Sequence, residues 1–443
     1  MTRKTASPGK RLRVLLLAAD CNPTKPSLPV VGYKYARAMS AFCDVTVATH
    51  LRNRESIRAA HPEGSDAPAL SFDFIDVRYV ARPLRRIANR LRGGNEVAWS
   101  TNMMMAYPAQ VEFERQIWKR YRRALEAEEY DVVHRITPMS PTMPSYMSGR
   151  GPQPFVLGPL NGNLDWPAAY AEEQKRERES LRKLRGLYKA LPFVRRTYRR
   201  ADCVLAAFQH TMDDLPSVPP ERMVMFPEVG YDDDIFHAPE SLARDPAQPM
   251  RFLFAGRLVP YKLPEVAVRA FAGSPALRDN HYLHIVGSGP ELPRLKKIVA
   301  DHGAEDRVIF EGRLTQSEVA DKMRETDVFV FPSIRELGAG VVVEAMACGM
   351  LCLAVDYGGP ADLLAPERGV KVPLAGLEPL TAAFRSEMER FATERGSPPQ
   401  QAMRQAAVDH ARDRYLWHRK AEFTTDIYRR LLAGEAKFPE YYR

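Results

Sequence analysis

Cysteine is scarce in this chain, and its five copies, Cys21, Cys43, Cys203, Cys348 and Cys352, are odd in number, scattered, and form no C-x-x-C pair. A disulfide framework and a zinc site are therefore not expected, and free thiols in a reducing compartment are. Long apolar runs are missing as well. The longest candidate, 14–19, has the length of a strand, far short of the roughly 20 residues that span a bilayer. The basic opening, residues 1–10, is followed by no apolar core of about 7–15 residues such as a secretory leader needs. A cytoplasmic location is the resulting expectation. Internal repeats are absent, and no aromatic interleaving or binding motif accompanies the basic stretches, so nucleic acid is not an expected partner.

What the chain does have is length and an uneven positive charge. At 443 residues it exceeds one comfortable core and favours two domains. The net charge is +9, and residues 172–200 alone hold eleven Lys/Arg against four Glu, a net of +7. A second stretch, 82–92, carries five Arg and no acid. Leucines at helical intervals run through both (Leu181, Leu184, Leu187, Leu191; Leu84, Leu91). Each stretch fits a solvated helix packed on its leucine stripe, or a basic face lying peripherally on an anionic membrane.

Apolar strand-like runs alternate with helix-length segments, the pattern of parallel α/β units. In the first half these runs are 12–19, 44–50, 72–80, 131–136, 154–158, 203–207 and 223–227. In the second half they are 251–255, 281–286, 307–310, 328–331, 350–355 and 369–372. The Asp-rich stretch 228–240 reads as a hinge. The expected plan is two Rossmann-like, doubly wound domains, 11–235 and 236–412, facing a cleft at the carboxyl ends of their strands. Residues 413–443 are expected as a terminal helix crossing back to the first domain.

Chemistry concentrates at 335–349, R-E-L-G-A-G-V-V-V-E-A-M-A-C-G. On one helix a spacing of eight would turn Glu336 and Glu344 roughly 80° apart. Gly338 and Gly340 make a continuous helix costly, so Glu336 is read as a loop residue and Glu344 as lying in the first turn of a helix that stops at Gly349. Loop amides and a helix N-terminus aimed one way make an anion site. Upstream, R-F-L-F-A-G-R-L-V-P-Y-K at 251–262 is a strand followed by two cations, Arg257 and Lys262. A guanidinium fork with a compact ammonium suits a diphosphate whose charge grows as a bond to it breaks. Glycine turns close neighbouring strands at Gly287 and Gly289, at Gly312, and at 356–360. A nucleotide diphosphate is the ligand this pattern favours.

From Arg251 to about Leu364 the chain resembles the donor domain of retaining GT-B glycosyltransferases of family 4. The matching motifs keep their order: G-R-x4-K at Gly256, Arg257 and Lys262; G-x-G-P at 287–290; F-x-G at 310–312; D-V-F-V-F-P-S at 327–333; and E-x7-E at Glu336 and Glu344. The resemblance implies that Arg257 and Lys262 hold the donor diphosphate, Glu344 accepts from the ribose hydroxyls, and Glu336 lies beside the donor sugar. The backbone around Gly338, Ala339 and Gly340 is implied to contact sugar or phosphate, and Gly32, Gly287, Gly289 and Gly312 to border the donor. The implied reaction is transfer from a nucleotide diphosphate sugar to an acceptor hydroxyl with retention. The leaving phosphate takes the acceptor proton, neither carboxylate is a nucleophile, and no cofactor or metal is needed. Asp232, Asp233 and Asp234 imitate a metal-binding D-x-D, but in the hinge stretch.

The first half matches more loosely. Where many members carry H-x-H, this chain has His134-Arg135-Ile136; His134 stands as a catalytic candidate and the second position is lost. Val31 replaces one of two glycines beside Gly32. Acceptor-side candidates are Arg135, Thr137, Asn161, Asn163, Asp165 and Trp166. The last four fit a sugar-binding loop, and equally an Asx turn closed on a core tryptophan. A lipid-linked acceptor, in cell-surface polysaccharide or glycolipid assembly, fits the basic stretches. A phosphorylase, an epimerase, or a scaffold with a degenerate acceptor site are the competing readings.

Overall fold

The structure is a computed structural model that describes residues 11–61, 69–80, 99–176, 192–215, 217–435 and 437–441. Its thirteen strands among these residues are β1 (Leu12–Ala18), β2 (Cys43–His50), β3 (Leu70–Ile75), β4 (Val132–Thr137), β5 (Phe155–Leu160), β6 (Cys203–Ala206), β7 (Met223–Met225), β8 (Arg251–Ala255), β9 (Tyr282–Val286), β10 (Val308–Gly312), β11 (Val328–Phe331), β12 (Leu351–Val355) and β13 (Val370–Val372). All residues of β4, β5, β6, β11 and β12 are buried. Unbroken apolar runs of this kind belong to parallel strands covered on both faces. Edge strands β3 and β10 mix buried and half-exposed positions. The expected third strand, 72–80, ends early at Ile75. There the Asp76 carboxylate accepts from the Arg78 backbone N–H at 2.9 Å, a local bond that competes with the ladder, and residues 78–80 are helical.

The strands form two parallel sheets, ordered β3-β2-β1-β4-β5-β6-β7 and β10-β9-β8-β11-β12-β13. Around them the chain builds two compact units: Met1–Asn163 with Arg178–Glu228 and Trp417–Arg443, and Leu164–Glu177 with Val229–Leu416. The first boundary thus falls at 228/229 where 235/236 was expected, the last at 416/417 where 412/413 was expected, and Leu164–Glu177 groups with the second unit.

In the first unit β1 shows how the sheet is covered. Leu12, Val14, Leu16 and Ala18 pack on one face with Tyr35 of the helix Leu28–Met39 and Ile427 and Tyr428 of the helix Trp417–Ala433. Leu15 and Leu17 pack on the other with Phe113 and Ile117 of the helix Trp99–Glu126. Alternation along one strand thus feeds two helical layers. In the second unit Phe252 and Phe254 of β8 pack with the helices Pro264–Ala272 and Leu377–Thr393 and, from the earlier chain, with Trp166 and Tyr170. Each sheet reverses its winding between its first and fourth strands. Such switch points, at strand carboxyl ends, are where open α/β sheets bind ligands.

Candidate functional site

The switch point of the second unit lies between β8 and β11, and both main candidates are there. β8 delivers Gly256 and Arg257 and then a tight turn, Pro260–Lys262; β11 runs into the loop 332–339 that carries Glu336. Two bonds stitch turn to loop: the Tyr261 carbonyl accepts from the Ile334 N–H at 3.0 Å and from the Ser333 hydroxyl at 3.3 Å. The Lys262 ammonium donates to Glu336 Oε1, and Ser333 Oγ lies 3.3 Å from the same oxygen, an alternative acceptor for its one proton. Lys262 and Glu336 side chains are only 11% and 15% exposed, so the pair is poorly screened by water. Arg257 is exposed and donates to the Tyr261 hydroxyl at 2.5 Å. The Arg257 guanidinium carbon and Lys262 Nζ each lie 5.8 Å from the centroid of the Tyr261 ring. One aromatic ring thereby holds both cations near each other.

Glu336 is in the loop, as its setting predicts. Glu344 is not in the first turn: the helix runs Gly340–Ala347, with Ala339 as N-cap and no side-chain cap. Glu344 is therefore one turn further in, half-exposed. With the Val342 N–H already donating to the Ala339 carbonyl at 2.9 Å, it is the N–H groups of Gly340 and Val341, with no side-chain cap, that turn the helix N-terminus toward an anion. Two non-glycine residues flank the functional pair in the left-handed region: Leu263 (φ +43°), directly after Lys262, and Ala339 (φ +49°), three after Glu336. Residue type gives no signal for either. Such positions cost of order 1–3 kcal/mol and gather at functional sites.

The glycines expected to border the donor have a nearer reason to be glycine. A Cβ on Gly287 would sit 1.9 Å from the Gly256 carbonyl oxygen, and one on Gly289 2.2 Å from that of Leu258. The turns after β8 and β9 are stacked backbone on backbone, joined by Leu258 N–H to the Ser288 carbonyl at 3.0 Å. Gly287 N–H donates in turn to the Gly312 carbonyl at 2.7 Å. These residues position the Arg257 turn.

The first unit corrects several expectations. His134 is fully buried in β4: Nε2 meets the Gly158 carbonyl at 2.7 Å and Nδ1 the Tyr428 hydroxyl at 2.5 Å. Burial pushes its pKa down to about 4. Both ring nitrogens are used, so His134 is a packing residue and not a proton carrier for substrate. Arg135 is equally buried, donating to the Met143 carbonyl at 2.6 Å with Glu114 4.0 Å away. The Thr137 hydroxyl clips Asp20, donating to its carbonyl at 3.1 Å and accepting from its N–H at 2.9 Å. Gly32 stands against the same carbonyl, with a Cβ placed 2.3 Å from it. Asn161 is buried and donates to Glu228 Oε1 at 2.5 Å, and Asn163 donates to Asp214. Of the loop proposed to bind acceptor, Asp165 and Trp166 belong to the second unit. Trp166 is 7% exposed within that unit's core.

A buried ionic cluster at the end of the first unit carried no sequence signal. Lys420 Nζ donates to the Pro227 carbonyl at 2.5 Å and lies 3.8 Å from the Phe226 ring centroid. Burial pushes Lys420 down to about 7 and raises the pKa of its neighbour Glu228. The cluster fixes residues 226–228 onto the helix Trp417–Ala433.

All five cysteines are free and buried. Among the described residues no His/Cys/Asp/Glu group could hold a metal ion, and no helix is long and apolar enough to cross a membrane. The basic stretch 82–92 lies outside the described residues, as do 177–191. In the described remainder, the helix Val194–Arg200 exposes Arg195, Arg199 and Arg200, which make no ion pair among the described residues.

Residues 242–374 match the family model for glycosyl transferases group 1. D-inositol 3-phosphate glycosyltransferase of Streptomyces bingchenggensis is 34% identical over 192 residues, 41% of this chain and 41% of that protein. The match thus spans about two-fifths of that relative's length. 2-Deoxystreptamine glucosyltransferase of Streptomyces kanamyceticus is 29% identical over 350 residues, 72% of this chain and 84% of that protein. Among solved structures, sucrose-phosphate synthase from Thermosynechococcus elongatus superposes with a TM-score of 0.64 at 18% identity, covering 96% of this chain and 100% of that one. HepE from Anabaena, in complex with UDP, gives 0.61 at 15%, covering 94% and 99%. At these identities the structures speak for the fold, two Rossmann-like domains of GT-B type.

Proposed function

We propose that this GT-B chain, with its glycosyl transferases group 1 domain at 242–374, transfers a sugar from a nucleotide diphosphate donor to an acceptor hydroxyl, with retention at the anomeric carbon. The observation that carries the reading is the ion pair of Lys262 with Glu336 at the β8/β11 switch point, beside Arg257 and an uncapped helix N-terminus. Lys262, Arg257 and the amides of Gly340 and Val341 hold the diphosphate and stabilise the charge it gains as the glycosidic bond breaks. Glu336 accepts from a sugar hydroxyl and Glu344 from the ribose. The acceptor hydroxyl adds to the anomeric carbon while its proton passes to a leaving phosphate oxygen, so no metal is invoked and no carboxylate need act as nucleophile. UDP is the first nucleotide to try, because HepE was solved with it.

Screening UDP-, GDP- and ADP-sugars for thermal stabilisation, then following nucleoside diphosphate release with and without acceptor, tests the reading. Acceptors include inositol phosphate and 2-deoxystreptamine, from the relatives' names, and lipid-linked sugars. Glu336→Gln is expected to abolish transfer with folding intact, and Lys262→Ala to do the same with some loss of stability, since it strands a half-buried carboxylate. Full activity in either variant rules the mechanism out. Release without acceptor points instead to a phosphorylase or epimerase, and absence of nucleotide binding to a scaffold. The arginines of Val194–Arg200 that make no ion pair among the described residues support peripheral contact with an anionic cytoplasmic membrane surface, where a lipid-linked acceptor would be met.

A further inference from the structure

Residues 164–176 leave the first unit after Asn163 and lie wholly on the second. They touch it at the places that set the donor site. The Trp166 ring faces Arg335, whose guanidinium carbon is 5.3 Å from the ring centroid. The Asp165 carbonyl accepts from the Tyr357 hydroxyl at 2.9 Å. Leu164 presses on Gly358 so closely that a Cβ there would be 2.6 Å from its Cδ2 and 2.7 Å from the Glu336 carbonyl oxygen. That same Glu336 carbonyl accepts from Gly359 N–H at 2.9 Å. Further along, the helix Ala171–Arg176 packs on the turn Pro260–Lys262, and Arg176 pairs with Glu291. One strap of chain therefore braces both the loop of Glu336 and the turn of Lys262.

We propose that Trp166 is a positioning residue for the donor sugar: with its ring against Arg335, it fixes the 335–337 loop and so the direction in which the Glu336 carboxylate points. This role rests on the proposed function, in which Glu336 is the sugar-end carboxylate. An aromatic face is suited to the task, since it attracts a guanidinium and adds no negative charge that would compete with Glu336 for Lys262. In the proposed function the nucleotide end of the donor is held by other groups, Glu344 and the helix N-terminus at 340, and the Trp166 ring meets Arg335 on the Glu336 side of the loop. Loss of this contact is thus expected to separate sugar recognition from nucleotide recognition, whereas a purely structural tryptophan would weaken both together.

The test uses the full chain and two ligands, UDP and UDP-glucose, or GDP and GDP-mannose where the wild type prefers them, by calorimetry and by steady-state transfer. Trp166→Ala is expected to keep its affinity for the nucleoside diphosphate and to lose about a hundredfold in kcat, the scale of an ångström misplacement of a catalytic group. Trp166→Phe, which keeps an aromatic face, is expected to recover most of the loss. Tyr357→Phe removes the bond to Asp165 without opening the core, and is expected to show a smaller loss of the same kind should Trp166→Ala fail to fold. Equal weakening of both ligands, or undiminished turnover in Trp166→Ala and Tyr357→Phe, overturns the positioning role. A wild type that binds neither sugar nucleotide overturns the donor-site reading beneath it, which is a distinguishable result.

Discussion

Ala339 sits at φ +49° and ψ +41°, capping the helix that carries Glu344 and ending the loop that carries Glu336. A β-carbon in that region is unfavourable, and the surroundings hold it there: Ala339 is 4% exposed and its carbonyl accepts from Val342 N–H at 2.9 Å. Ala339→Gly is expected to raise the stability of the second unit by up to ~1 kcal/mol, the strain relieved less the entropy glycine adds to the unfolded chain. Urea unfolding followed on that unit's transition checks this, and a lowered midpoint would show that the methyl packs more than it strains. Glu336 and Lys262 differ from Ala339 in that the roles proposed for them are suggested by motif and charge. The dihedral angles beside them cannot, because they are set by which turns stack on which.

At the scale of elements, the helix Val194–Arg200 divides its residues between two purposes. Val194 and Tyr198 enter the core and Thr197 is buried, while Arg195, Arg199 and Arg200 stay exposed. Arg196 is tied down, donating to the Ser148 carbonyl at 2.9 and 3.1 Å. Exchanging Arg195, Arg199 and Arg200 for Gln is expected to cut pelleting with phosphatidylserine vesicles and leave pelleting with neutral vesicles unchanged. At about 1 kcal/mol per basic residue near such a surface, the change is of order a hundredfold in affinity or more. No difference between the vesicle types for the wild type would sink membrane contact by this face. All thirteen strands are legible in the sequence, because a strand buried on both faces is a continuous apolar run and the segments between are amphipathic. β3 is overlong in that reading because the Asp76 turn looks like more strand in residue type. The residues proposed for the donor side stand out for a related reason: they lie at strand ends marked by glycine and charge. The first unit's candidates read differently in the structure because His134, Arg135 and Asn161 are polar residues buried inside the fold, His134 with both ring nitrogens partnered. Sequence does not distinguish a buried, partnered histidine from one that faces substrate.

The molecule as a whole buries neutral histidines in both units, and this gives its stability a pH dependence with a definite sign. Burial pushes His134 down to about 4, His50 to about 3 and His410 to about 4, against an ordinary value of 6.5. The unfolded chain therefore binds more protons below 6.5, so each contribution is full above 6.5 and is lost as pH falls toward 4. His134 alone is worth about 3 kcal/mol across that window. The raised carboxyl of Glu228 works the other way in acid, so the difference between variants is the cleaner measurement. His134→Gln, which can keep both hydrogen bonds, is expected to flatten the decline of urea midpoint between pH 6.5 and 4; an unchanged slope would assign the decline elsewhere. Chains built this way do not recombine at a single joint. The core of the second unit contains Trp166 and Tyr170, which lie well before its main stretch begins at Val229. A chimera joined at 228/229 alone would inherit the main stretch of its second unit from one parent and its 164–176 strap from another. Two crossovers are needed to move the second unit intact, so whatever that unit determines travels with a short piece of what looks, in linear order, like the other half.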